Sequence, residues 1–264
     1  MIRKNNSVKL KILDFIIEIN FGENEWSLKE SFLSDFYSLW GQFETKKTKL
    51  GIDYKVDYLT HKSINLIDVK REGREMWWKI WMEDQRQIEV LVDLGVGGFN
   101  FLLRHILLKL IFANNGLAFH ASAVVKNDLV LVFLGPSGGG KSTTAGMLEN
   151  QGYKHLGDDA VFFRKNGRKW FVYGTPLVEK KYRPTRFIGE KVRFFFIEKS
   201  QRFDLKKLEL GLALKSLLPQ VLTFDGLDKN IFENVRNFTV DHQFYKLKTR
   251  LDAVGLEGAL HEVE

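Results

Sequence analysis

The octapeptide Gly135-Pro136-Ser137-Gly138-Gly139-Gly140-Lys141-Ser142 constrains this chain more than any other segment. It satisfies the pattern G-x-x-x-x-G-K-[ST] in full, and its surroundings meet the context that the pattern requires. Leu129-Val130-Leu131-Val132-Phe133-Leu134 leads in as a buried-type strand, and Ser142 to Asn150 leads out as a helix. The glycines let successive backbone N–H groups turn inward. At a helix N-terminus those donors add to a partial positive charge, so the segment from Gly135 to Thr143 reads as a cradle for phosphate groups. Lys141 brings a full charge to the same place, and the Ser142 hydroxyl is a ligand for Mg²⁺.

Two carboxylates follow one helix later, in Lys154-His155-Leu156-Gly157-Asp158-Asp159-Ala160-Val161. The pair reads as opening a strand, where the usual arrangement is an apolar strand that ends in Asp. One carboxylate near a triphosphate can hold Mg²⁺, directly or through water, and the other can accept a proton from an attacking hydroxyl. Strand neighbours point to opposite sides, so the two are expected to do different jobs. His120 lies on the expected strand Ala118 to Val125, which the turn Lys126-Asn127-Asp128 folds back beside the loop strand as an antiparallel hairpin. A neutral imidazole there stands near the transferred phosphoryl group or near one Asp; the alternative is a core histidine satisfied by backbone.

The 264 residues make one large domain or two small ones. The run Leu94-Gly95-Val96-Gly97-Gly98 is the best boundary, giving an α+β region at 1–95, with a role in substrate recognition, and a loop-bearing domain at 96–264. In the first region, strands are expected within 8–21 and at 53–59, 64–69, 75–82 and 87–92, with turns at Gly51, Gly73 and Asp84. Ser27-x-x-Glu30 is a capping box, followed by Phe32, Phe36, Trp40 and Phe43 at helical spacing. Trp77, Trp78 and Trp81 suggest either a base-stacking platform or core packing, and core packing is the reading adopted. A helix is expected from about Asn100 to Phe112; with Arg104, His105 and Lys109 it falls short of the roughly 20 apolar residues of a spanning helix. Lys9, Lys11, Asp14 and Glu18 break the first apolar run, so no export signal is expected.

The absence of Cys excludes a disulfide scaffold, a thiolate metal site and a cysteine nucleophile, and it suits a cytoplasmic location. Net charge is +7 and uneven: residues 1–100 carry 15 Lys and Arg against 16 Asp and Glu, and the rest carry 25 against 17. Nucleic acid, a membrane surface and a phosphorylated or acidic ligand all fit that excess, as does a solvated basic face. The reading adopted takes no nucleic acid and no membrane as partner, and leaves a homo-oligomer open.

The signature of ABC ATPases (LSGGQ) and the base-reading motif of GTPases (NKxD) are absent. The ordered set His120-Ala121-Ser122-Ala123, Gly135 to Ser142 and Gly157-Asp158-Asp159 resembles the HPr kinase/phosphorylase family. It looks closest to a divergent branch of HPr kinase-related proteins, some of which phosphorylate a serine of a ribosomal precursor peptide. The resemblance spans roughly residues 100–255, including Gly174-Thr175-Pro176 and His242 to Thr249. It implies an α/β fold, with a mixed sheet like that shared by HPr kinase and phosphoenolpyruvate carboxykinase. It also implies an ATP- and Mg²⁺-dependent kinase acting on a serine of a protein or peptide. By position, Lys141 binds phosphates, Ser142 binds Mg²⁺, Asp159 is the general base, Asp158 assists the metal and His120 supports the site. Glu179 is the nearest candidate for the family's downstream metal-ligating Glu. The apolar signature that follows that Glu in HPr kinases is replaced by a stretch with Lys180, Lys181, Arg183, Arg186, Lys191 and Arg193, expected to favour an acidic acceptor beside the triphosphate. The competing reading is an ATP-binding regulator or adaptor that transfers nothing, which has no need of the Asp pair as a base.

Overall fold

Alternating apolar residues from Val8 to Ile19 close into a hairpin of β1 (Ser7–Ile12) and β2 (Phe15–Asn20), with Ile12 opposite Phe15. Its two-residue connection, Leu13 and Asp14, has positive φ at both positions (52° and 67°), the type I′ geometry that matches strand twist. The computed structural model describes residues 7–20, 27–45, 52–58, 78–84, 87–92, 96–179, 182–223 and 226–261. Two compact units divide it, Met1–Leu110 and Ile111–Glu264.

In the first unit, α1 (Ser27–Trp40) follows the hairpin, and then come β3 (Tyr54–Tyr58), β4 (Trp78–Asp84) and β5 (Gln87–Val92). The five strands form one sheet in the order β1-β2-β3-β5-β4. The next helix, α2 (Val96–Ala113), starts earlier than expected and takes in Gly97 and Gly98 of the expected boundary. Glycine is tolerated in a first turn, where N–H groups have no helical partner in any case. The division between the units falls inside this helix, at 110/111, where the sequence suggested 95/96. By length and composition α2 is also apolar enough to cross a membrane, which corrects the expectation that the segment falls short. Phe99, Leu102, Leu103, Ile106 and Leu107 are buried, as in a core helix, and the Phe99 ring lies 5.1 Å from Phe36 and 4.6 Å from Trp40. The strand expected at 64–69, the turns at Gly51 and Gly73, Trp77, and the side chains of Ser27, Glu30, Trp78 and Trp81 lie outside the described residues.

In the second unit the strand expected at 118–125 is two strands, β6 (Gly116–Phe119) and β7 (Ala121–Lys126), broken at His120. The His120 N–H donates to the Gln220 carbonyl at 2.7 Å and not to a ladder partner. After β7 come β8 (Leu129–Leu134), α3 (Lys141–Glu149), β9 (Lys154–Gly157), β10 (Val161–Asn166), β11 (Lys169–Tyr173), β12 (Ile188–Gly189) and β13 (Lys191–Lys199). The chain ends with β14 (Asp204–Lys207), α4 (Leu210–Leu217), α5 (Lys229–Asp241), β15 (Phe244–Thr249) and α6 (Ala253–His261). A six-stranded sheet runs β14-β15-β13-β8-β7-β9 and a four-stranded sheet runs β12-β11-β10-β6, so β6 and β7 belong to different sheets. The hairpin of β7 and β8 is antiparallel as expected, with φ of 50° at Asn127 and 64° at Asp128.

Central β8 is buried on both faces, the reason it reads as a continuous apolar run. Val130, Val132 and Leu134 enter the core shared with β6, β10 and α5, where Phe238 meets Phe119, Phe163, Trp170 and Phe194 at ring distances of 5.2, 5.0, 4.9 and 5.3 Å. Leu131 and Phe133 enter the opposite core, against Ala145 and Leu148 of α3 and Leu256 of α6. Strand β8 is parallel to β13, which is parallel to β15, while β7 is antiparallel to both β8 and β9. The C-terminal ends of β8, β9, β13 and β15 and the start of β7 therefore meet at one end of the sheet.

Candidate active site

That end of the sheet carries the glycine loop. Gly138 (φ 73°) and Gly140 (φ 102°) adopt left-handed backbone that a side chain would strain. A Cβ on Gly139 would stand 2.9 Å from the Pro136 carbonyl oxygen, the acceptor of the Gly139 N–H. Gly140 caps α3 and offers no side chain to compete for the first-turn N–H donors. Lys141 is 6% exposed and folds back across the loop, with Nζ donating to the carbonyls of Gly135 at 2.8 Å and Pro136 at 3.1 Å. The ammonium is thus held over the cradle rather than free in solvent.

The two aspartates do not open a strand. They occupy the bend between β9 and β10, so Asp158 directly follows a short strand, Lys154-His155-Leu156-Gly157, of which Leu156 and Gly157 are buried. Asp158 is 1% exposed, and its Oδ1 accepts hydrogen bonds from Ser142 Oγ at 2.7 Å and from Ser122 Oγ. Ser122 comes from β7, and sequence reasoning did not single it out. Asp159 is half exposed, and its Oδ1 lies 3.5 Å from His120 Nε2. The carboxylates diverge because Asp159 has φ of 64°, a left-handed conformation, and not because strand neighbours alternate. Such a residue costs on the order of 1–3 kcal/mol and persists only where its surroundings hold it. Part of that hold is the Asp158 N–H, which donates to Glu179 Oε2. Glu179 thus reaches the pair through the backbone of the turn.

On the other side of the loop, toward β13 and β15, lies a cleft of about 530 Å³. Gly139, Gly140, Thr143 and Met147 form one wall; Ile197, Lys199, Arg250 and Leu251 form the other. The Lys199 side chain lies against Gly140, its Cε 3.7 Å from where a Cβ would stand. The Arg250 guanidinium is fixed by Asp252 at 2.8 Å and lies 5.4 Å over the Phe203 ring. Neither cation was expected at the site, and the signal for them is topological: both sit at the carboxyl ends of parallel strands. Two members of the basic stretch that was expected beside the loop are placed away from it. Lys191 and Arg193 pair with Leu129 and Leu131, in the half of the sheet away from the loop, and Lys180 and Lys181 lie outside the described residues.

The donor set fits a magnesium ion. Ser142 Oγ and Asp158 Oδ1 are two hard oxygens at the junction of loop and helix, and Mg²⁺ takes few protein ligands, completing its shell with phosphate oxygens and water. Among the described residues, no group of three or more His, Asp or Glu side chains is arranged to hold a metal ion without such help.

No family model matches the chain, and no curated protein matches it. Among solved structures it is similar to the HPr(Ser) kinase/phosphatase from Coxiella burnetii, at 10% identity and a TM-score of 0.32, over 55% of this chain and 96% of that one.

Proposed function

We propose that this chain is an ATP- and Mg²⁺-dependent kinase that transfers the γ-phosphoryl group to a hydroxyl, a serine of a protein or peptide. The observation that carries the proposal is the convergence of a complete phosphate-binding loop with a divergent carboxylate pair: Asp158 bonded to Ser142 at 2.7 Å and Asp159 turned 3.5 Å from His120. A protein that only binds nucleotide has no use for a second, strained, half-exposed carboxylate beside the loop.

In this reading the loop N–H groups and Lys141 bind the β- and γ-phosphates, and the nucleoside extends into the cleft toward Lys199 and Arg250. Bound Mg²⁺ supplies charge neutralisation at the phosphates, held by Ser142 and Asp158. The acceptor approaches from the opposite side, where Asp159 is open to solvent. Its oxygen forms the new bond to phosphorus, the bond from the γ-phosphorus to the bridging oxygen breaks, and ADP leaves. The hydroxyl proton passes to Asp159, which His120 orients. Positioning and charge do most of the work in such transfers.

The test uses γ-labelled ATP, Mg²⁺ and a serine peptide library. Label on serine, abolished in Asp159→Asn with nucleotide binding retained, is the expected result. Nucleotide binding without transfer to any hydroxyl would instead favour the non-catalytic regulator.

A further inference from the structure

A buried polar cluster lies behind the carboxylate turn and takes no part in the transfer described above. His155, on β9, is 9% exposed at its side chain, with Nδ1 3.6 Å from Glu149 Oε1 and Nε2 3.9 Å from Glu179 Oε2. Its ring lies flat on Tyr182, with centroids 3.3 Å apart and planes 4° from parallel. Burial and a hydrogen bond to Glu149 push the Tyr182 phenol pKa up, so that phenol stays a neutral donor. Glu149 is the last residue of α3, the helix that the glycine loop opens. Glu179, from the connection after β11, accepts the Asp158 N–H. One imidazole therefore lies between the far end of the loop helix and the residue that grips the carboxylate turn, its two ring nitrogens within ion-pair range of the two carboxylates.

The chemistry of the cluster argues for a role beyond packing. Burying an imidazole and the Glu179 carboxylate is expensive, and apolar side chains of similar volume fill such a space at lower cost. Glu179 can grip the turn only if its own carboxylate is held, and His155 and Tyr182 are the rings described beside it. The grip matters because the next residue, Asp159, is the strained one, with φ of 64°.

We infer that His155 is a positioning residue: it fixes the Glu179 carboxylate on the Asp158 amide and so holds the turn that aims Asp158 at Ser142 and Asp159 at His120. Its catalytic consequence rests on the kinase reading; its effect on the turn does not. Partners that orient a functional group at one remove typically cost about 10–100-fold in activity when removed.

Two variants of the full chain separate positioning from packing. His155→Phe keeps a flat face for Tyr182 and removes both ring nitrogens, whereas His155→Gln keeps an N–H that can reach Glu179. Each is read by amide hydrogen exchange at Asp158 and Asp159 and by label transfer from Mg-ATP to a serine peptide. In the Phe variant, exchange at the turn is expected to quicken about tenfold or more through local opening. Transfer is expected to fall about 10–100-fold, with nucleotide binding kept. The Gln variant should stay near wild type in both. Wild-type exchange in the Phe variant, or equal loss in Phe and Gln, overturns the inference. Should the Phe variant not fold, Glu149→Gln loosens the imidazole from its other side, and unchanged exchange at Asp158 there overturns the inference equally. Faster exchange in a protein whose wild type transfers nothing would keep the positioning role and remove the kinase reading.

Discussion

On the function proposed above, Mg-ATP should stabilise this protein, and replacing Lys141 with Met should nearly abolish that stabilisation. A ligand at 100 times its dissociation constant stabilises the folded state by about 2.7 kcal/mol. For a protein of this size each kcal/mol moves the midpoint by roughly 2–4 °C, so wild type should shift by about 5–10 °C. Lys141 is 6% exposed and its ammonium is held over the cradle by two carbonyls, so a phosphate bound there would meet it in partly dry surroundings. Hydrogen bonds to a charged group contribute about 1.5–3 kcal/mol, a loss of roughly 10- to 150-fold in affinity. At a hundredfold loss the same ATP concentration equals the variant's dissociation constant. The remaining stabilisation is then about 0.4 kcal/mol, or 1–2 °C. Methionine preserves the buried volume but leaves the Gly135 and Pro136 carbonyls without that donor, so the apo midpoint falls as well. The informative quantity is accordingly the ATP-induced shift within each protein, measured by scanning fluorimetry at matched Mg²⁺. An undiminished shift in the variant would refute the placement of the phosphates at this loop.

Asp159→Asn should lower phosphoryl transfer by about 10²–10⁴-fold while leaving the ATP-induced shift intact, as a lost general base does; single-turnover transfer and scanning fluorimetry together check it. Phe238→Ala should destabilise the second unit by about 3–5 kcal/mol, since that ring meets Phe119, Phe163, Trp170, Phe194 and Phe244 as well as the His242 imidazole, and urea denaturation reads the loss. Burial among aromatic rings lowers the pKa of His242 below its ordinary value, so its contribution is full above about pH 6.5 and lost as pH falls toward the folded-state value. Between about pH 7 and pH 5.5 wild type should therefore lose stability more steeply than His242→Gln, and equal slopes in the two proteins would contradict that burial.

What could be read from the sequence is what short-range chemistry dictates. The glycine loop was legible because its turns, its cation and its flanking strand and helix are adjacent residues. The β7–β8 hairpin was legible because Asn127 and Asp128 tolerate positive φ. The break at His120 was not, because Leu117 to Val125 contains no glycine or proline, and what ends β6 is a carbonyl from Gln220, distant in sequence. The aspartate pair was assigned to a strand start because Ala160 to Phe163 is apolar; the left-handed turn at Asp159 depends on Glu179, which only the folded chain brings near. Lys199 and Arg250 escaped notice because parallel strands are joined by long crossovers, and no local pattern says which strand ends will lie beside the loop.

The break at His120 and the left-handed turn at Asp159 are complementary. On an unbroken strand residues 120 and 122 would share one face and reach in one direction. Adjacent aspartates held in an extended strand would point to opposite sides, so one strand face could serve only one of them. The chain instead breaks at His120, passing β6 to the four-stranded sheet and β7 to the six-stranded one. His120 is left at the corner with a third of its side chain exposed, whereas Ser122, two residues on, is fully buried. The turn at Asp159 makes the matching divergence, sending one carboxylate inward to Ser122 and Ser142 and the other outward to His120. Each backbone irregularity would misalign a side chain without the other. Together they let two residues of one strand junction, His120 and Ser122, meet two consecutive aspartates with a buried hydroxyl for one and a solvent-facing imidazole for the other.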